Sequence, residues 1–239
     1  MNPIWFFVIV FAAIIIIFLI AFFIYLLIDH DQSDYKDGGG IRIGGNEIIN
    51  IFAPANDKAG IHGEKIVNEE LRLLLRNDEY LLVNLLLPLK NGRKTEIDCV
   101  LVSRKGIFCI ETKRWVGHII GNDEDECWIQ RYDDPYKGDI THNNPVSQNK
   151  FHCDVLDRIL NYKYEIENAV IFCSLEDGSG INSNFVYTIS DFKTWYRSLD
   201  ELGITDFEIK QISQFLQKYV ATNEQIKQFR NEQKNRNKH

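Results

Sequence analysis

The chain has 239 residues, 45% hydrophobic and 26% charged, a balance that supports a buried core plus an appendage and excludes a wholly disordered chain. Its 34 acidic residues outnumber 27 basic ones for a formal charge of -7, so no global basic field draws nucleic acid to it. An anionic substrate must therefore be met by a local patch or a metal ion.

Residues 1–28, "MNPIWFFVIVFAAIIIIFLIAFFIYLLI", contain no Asp, Glu, Lys, Arg or His and exceed the roughly 20 apolar residues that span a bilayer. They are expected to form a single transmembrane helix. A basic leading region and a small-residue cleavage site are not evident, which favours an uncleaved anchor over a signal peptide. The flanking charges do not set its orientation. The five cysteines, Cys99, Cys109, Cys127, Cys153 and Cys173, are odd in number, lack C-x-x-C spacing and read as small core residues. A reducing compartment follows, placing the soluble part in the cytoplasm.

Residues 29–57, polar and Gly-rich through "DGGGIRIGGNE", read as a linker with at most a short strand at "EIINIFA". "HGEKIVNEELRLLL" then sets Ile66, Val67, Leu71, Leu74 and Leu75 on one stripe, predicting a helix over 62–76. "EYLLVNLLLPL" and "TEIDCVLV" read as strands joined through the turn "NGRK", and "SRKG" closes a hairpin onto "IFCIETK". Residues 116–144 read as loop. Asn144 and Pro145 then offer an N-cap and a first helical residue for a helix to about 161. "NAVIFCSL" and "FVYTI" are further strands, and "SDFKTWYRSL" and "TDFEIKQISQFLQKYV" are capped helices. The tail "IKQFRNEQKNRNKH" reads as a solvated helix end or a frayed terminus. The class is α/β, a mixed sheet of four or more strands flanked by helices.

Within the hairpin, a loop of residues 103–106 pairs Val102 with Ile107 and sets Asp98 opposite Glu111. The two-residue strand period then puts Glu96, Asp98, Glu111 and Lys113 on one face. Like carboxylates across a strand pair repel unless a proton or cation lies between them, and a divalent metal with Lys113 beside it suits hydrolysis of a phosphodiester. The competing reading is an ordinary solvated face. Against it, "CVLV" and "IFCI" are apolar on both faces, as for a central strand.

"GIHGEKIVNEEL", "GRKTEIDCVLVSRKGIFCIETKRWVGHIIG", "CWIQ" and "NNPVSQNKFHCDVL", in that order over residues 58–175, resemble the nuclease-related domain (NERD) family of the PD-(D/E)xK nuclease superfamily. The resemblance implies a restriction-endonuclease-like fold, with residues 176–239 completing it and ending in the basic tail. It implies Mg²⁺- or Mn²⁺-dependent cleavage of nucleic acid, DNA favoured over RNA. Asp98 and Glu111 would be the metal-binding acids and Lys113 the catalytic lysine. Glu64, in "HGE", resembles the first-helix acid that assists metal binding, and Gln148, in "NPVSQ", the helix glutamine beside the site; a dipole-favoured helix acid and an exposed helix Gln are the plainer readings. His152 lies one turn after Gln148, as a phosphate contact or a structural histidine. Trp115 and Trp128 either stack on bases or pack. Gly117 and Gly121 are assigned to turns, and His62 and His118 lack zinc-ligand spacing. The acidic run "NDEDE" is expected on a solvent-facing turn, and Lys90, Arg93, Lys94, Arg104, Lys105 and Arg114 are the candidates to meet a phosphate backbone or else form a solvated face. A fold-retaining binding module and a membrane-tethered interaction protein are the rival functions.

Overall fold

The computed structural model describes residues 41–43, 46–48, 58–134, 136–175 and 178–236. The expected membrane segment 1–28 lies outside them, as does most of the linker. Among the described residues, no helix is long and apolar enough to cross a membrane.

In chain order, β1 (Ile41–Ile43) pairs antiparallel with β2 (Asn46–Ile48). Helix α1 (Lys58–Arg72) precedes an antiparallel meander of β3 (Tyr80–Pro88), β4 (Lys94–Ser103) and β5 (Gly106–Lys113). The stretch read as loop instead contains β6 (His118–Asn122), β7 (Cys127–Arg131) and β8 (Ile140–Asn143), an antiparallel ladder. Its strands have only four or five residues and are half-exposed, too short for a periodic signal. Helix α2 (Pro145–Ile159) leads to β9 (Ile166–Phe172), which joins β5 in parallel. β10 (Ile181–Asn182) adds to β6 and β11 (Val186–Thr188) to β9, both in parallel. Helices α3 (Ile189–Ser198), α4 (Asp206–Gln217) and α5 (Asn223–Arg236) complete the domain. The result is a mixed α/β fold with two mixed sheets flanked by helices.

The central sheet is buried on both faces, which explains its continuous apolar runs. Leu82, Val100, Val102, Ile107 and Cys109 pack with residues of α2 and α4. Leu81, Val83, Leu101, Phe108 and Ile110 pack with α1 and α3. Each such side chain, removed from water, contributes about 1.5–3 kcal/mol before entropy is counted. The cysteines are all unpaired, and Cys99, Cys109 and Cys153 are buried small residues.

One irregularity positions the site. The ladder between β3 and β4 runs through Val83↔Cys99 and resumes at Leu85↔Ile97, leaving out Asn84 and Asp98. Ile97 belongs to one core and Cys99 to the other, so side-chain alternation breaks between them. Asn84 causes the break with a left-handed φ of 57°, a conformation that Asn tolerates and a β-branched residue does not. Asn84→Gly is expected to leave stability within about 0.5 kcal/mol, while Asn84→Val costs on the order of 2 kcal/mol. Urea unfolding of the two variants checks this; equal losses would mean that the backbone angle is not what matters.

Candidate active site

The hairpin pairs Val102 with Ile107, the register read from the sequence, with Arg104 and Lys105 at its turn. The ladder continues to Cys99↔Ile110 and stops there. Beyond it, the backbone N–H of Thr112 donates to Asp98 Oδ2 at 2.8 Å, a side chain standing in for the next rung. The charged ends of β4 and β5 therefore part around Asp98.

On the α2 side of this gap, Glu111 is buried at 5% exposure. Lys113 Nζ donates to Glu111 Oε1 at 2.6 Å and to Gln148 Oε1 at 3.1 Å, and Gln148 Nε2 donates to the same Glu111 oxygen at 2.9 Å. His152 Nδ1 lies 3.5 Å from Glu111 Oε2, at the outer limit of a hydrogen bond. Burial alone would raise the Glu111 carboxyl, but the Lys113 charge and the nearby His152 hold it below the ordinary value of 4.5. α2 carries Gln148 and His152 one turn apart on one face. Its start is fixed by Asn144, whose Oδ1 accepts from Val146 N at 2.8 Å and Ser147 N at 3.2 Å.

On the opposite side lie Glu64 of α1 and Glu96 of β4. Glu96 was expected to share a face with Glu111 and Lys113; the break in alternation turns it away, toward α5. There Arg230 Nε donates to both Glu96 oxygens at 3.1 Å, and Nη2 donates to Glu96 Oε1 at 2.7 Å and Glu64 Oε1 at 3.3 Å. Asp98 sits between the two groups. Burial, then the charges of Glu111, Glu64 and Glu96, push its carboxyl well above the ordinary 3.8, against the pull of the Thr112 N–H. The Glu64 carboxyl is also raised, by burial and its acidic neighbours, with Arg230 opposing. Arg230 was missed in the sequence because "NEQIKQFR" is mostly polar. The weak signal was Ile226 and Phe229, three apart, marking the side of the helix that packs.

Four carboxyl groups thus face two fixed cations, Lys113 and Arg230, and the excess of acids is what raises Asp98 and Glu64 beyond the effect of burial. Among the described residues, no three His, Cys, Asp or Glu side chains form a ready-made metal cage. The donor chemistry still fits Mg²⁺ or Mn²⁺: such ions are commonly held by one or two carboxylates, with water and substrate phosphate completing the shell.

Several other candidates fall elsewhere. Trp128 is fully buried, donates Nε1–H to Asn122 O at 2.9 Å and packs with Phe172, so it cannot stack on bases. Trp115 stacks on His142 at 4.1 Å, with Lys113 Nζ 5.8 Å from its ring. Gly117 does serve a turn, at φ 83°, but Gly121 lies within β6, where a Cβ would meet the Trp128 ring at 2.4 Å. Arg104 pairs with Asp78 and Asp206, and Lys105 donates to the Arg197 and Leu199 carbonyls, so both are committed at the end of the hairpin away from Asp98. Arg93 and Lys94 instead line a cleft of about 320 Å³ against α5, with Gln228, Phe229 and Arg236 opposite. The acidic run forms the β6–β7 turn, where Asn144 Nδ2 donates to the Asn122, Asp123 and Asp125 carbonyls. His118 Nε2 lies 2.7 Å from Asp133 Oδ1.

The fold and site together define a mixed α/β domain whose central hairpin ends in paired acids and a lysine. Residues 59–173 match the family model of the nuclease-related domain, NERD, which suggests a nuclease-like function. The chain is also similar to an uncharacterized protein of Bacillus anthracis, at 25% identity over 177 residues that cover 69% of this chain and 82% of that protein. No solved structure matches.

Proposed function

We propose that this domain is a metal-dependent nuclease that hydrolyses phosphodiester bonds, DNA in preference to RNA, tethered to a membrane by residues 1–28 with the domain in the cytoplasm. The observation that carries the reading is the placement of Asp98 and Glu111 at the parted ends of β4 and β5, with Lys113 on Glu111, inside the segment that matches the nuclease-related domain.

Asp98 and Glu111 would hold Mg²⁺ or Mn²⁺, with Glu64 beside them. A bound divalent ion polarises the scissile phosphate and lowers the pKa of an attacking water. Lys113, oriented by Glu111 and Gln148, presents its ammonium to the charge that develops on the phosphate. Gln148 keeps Lys113 and Glu111 in one geometry. Arg93 and Lys94, in the cleft against α5, would receive the phosphate backbone.

The test incubates the full chain with linear duplex, circular duplex, single-stranded DNA and RNA, in Mg²⁺, Mn²⁺ or EDTA. Metal-dependent cutting of at least one substrate is expected, with DNA cut faster, and Lys113→Ala should lose about 10²-fold or more. Metal-insensitive binding without cleavage would replace this reading with a nucleic-acid-binding module. A chain that neither binds nor cuts would be a membrane-tethered interaction protein.

A further inference from the structure

Arg230 comes from outside the segment that matches the nuclease-related domain, yet it makes four of the hydrogen bonds at the acid cluster. Few other side chains described on its helix are buried. Among the α5 side chains described, Ile226 alone is fully buried, against Leu86 and Ala221, with Phe229 half-buried beside it. The chain before α5 is fixed more firmly: Leu86 N donates to Tyr219 O at 2.9 Å and Ala221 N to Asn84 O at 2.9 Å, extending the edge of β3. Thr222 caps α5 between that anchored strand edge and a mostly polar helix, its N–H donating to Gln225 Oε1 at 2.8 Å.

We infer that Arg230 is a displaceable internal counter-ion: a divalent cation entering the acid cluster takes Glu64 from the guanidinium, and α5 loosens as Arg230 lets go. The inference rests on the reading above only in that the acids accept a cation. Its physical basis is that Arg230 and the cation neutralise the same carboxylates and repel each other. Two ligands that compete for one charge deficit are negatively coupled, and the coupling is reciprocal. Removing the guanidinium must then strengthen cation binding by the factor with which the cation weakens the docking of α5. Glu96, which receives three of the four bonds, would keep Arg230 near the site and set how readily it returns.

The experiment uses the full chain with Mn²⁺ alone. Free Mn²⁺ is followed by its electron paramagnetic resonance signal, and α5 by trypsin cleavage at Lys227, Arg230, Lys234 and Arg236. Arg230→Gln is expected to bind Mn²⁺ about tenfold tighter than wild type. In wild type Mn²⁺ should speed cleavage within α5 several-fold, an effect absent from Asp98→Asn. Arg230→Gln binding no tighter than wild type, or Mn²⁺ protecting α5, would each overturn the inference. A protein that binds no Mn²⁺ at millimolar concentration would overturn both this and the metal-dependent nuclease reading. One that binds Mn²⁺ and releases α5 but cuts no nucleic acid would sink the nuclease reading alone.

Discussion

Asp98→Asn is expected to abolish cleavage, by about 10³-fold or more, while making the metal-free protein more stable. The amide keeps the shape and can still accept from Thr112 N, but it removes a carboxylate that burial and three neighbouring acids make costly to ionise. Because the folded-state pKa of Asp98 is raised, the native protein holds this proton more tightly than the unfolded chain. Stability from that group is present in full below the ordinary 3.8 and is lost as pH rises through the folded value. The gain in Asp98→Asn should thus be absent in acid and grow toward neutrality. Lys113→Ala has the opposite sign. Lys113 and His152 hold Glu111 below 4.5 despite its burial, which stabilises the fold above that pH and fades as pH falls through the lowered value. Lys113→Ala should therefore be destabilised at neutral pH, with the deficit closing in acid. Melting temperatures of wild type and both variants, taken from about pH 3 to 8, check the pair. Two variants that lose activity while moving stability in opposite directions cannot both be inactive through unfolding; a destabilised Asp98→Asn would refute the account of Asp98.

Trp128→Ala is expected to cost about 3–5 kcal/mol, the largest stability loss of any single change considered. The ring is fully buried, presses against Gly121, donates to Asn122 O and seats the small second sheet on Val170 and Phe172 of β9. Truncation leaves a void that a sheet of two- to five-residue strands cannot close. Trp128→Phe, which keeps most of the volume and loses the N–H bond, should cost about a third to half as much. Urea unfolding measures both. Nucleic-acid affinity of the folded fraction should not change, and a selective loss of affinity without loss of stability would restore Trp128 as a base-stacking residue.

The central hairpin was legible because its register follows from one turn: placing "SRKG" correctly brings Asp98 and Glu111 to the same level. The helices at 145–159 and 206–217 were legible through their caps, Asn144 and Thr205, which accept backbone N–H bonds as their residue types predict, whereas the helix read from Ser190 begins at Ile189 and is capped by Thr188, a residue assigned to the preceding strand. What failed was local regularity. Strict alternation put Glu96 beside Glu111, and one left-handed residue, Asn84, moved it to the other side of the sheet. The second sheet stayed hidden because its strands draw their stability from one buried tryptophan and from the carbonyls tied by Asn144, neither of which leaves a period in the sequence. Arg230 was hidden for a different reason: a polar helix gives no sign of which charge it delivers, or to where.

The Glu64–Arg230 contact joins residues 166 positions apart, so nearly the whole domain must be made before it can form. Chains emerge from the ribosome at about 5–20 residues per second, and the hairpin bearing Asp98, Glu111 and Lys113 is synthesised well before α5. A nascent domain therefore passes through a period in which its acids face one another without their arginine. The order of synthesis makes compensation of the site follow the making of its acids, and a chain cut short before residue 230 would present the acid cluster without that arginine.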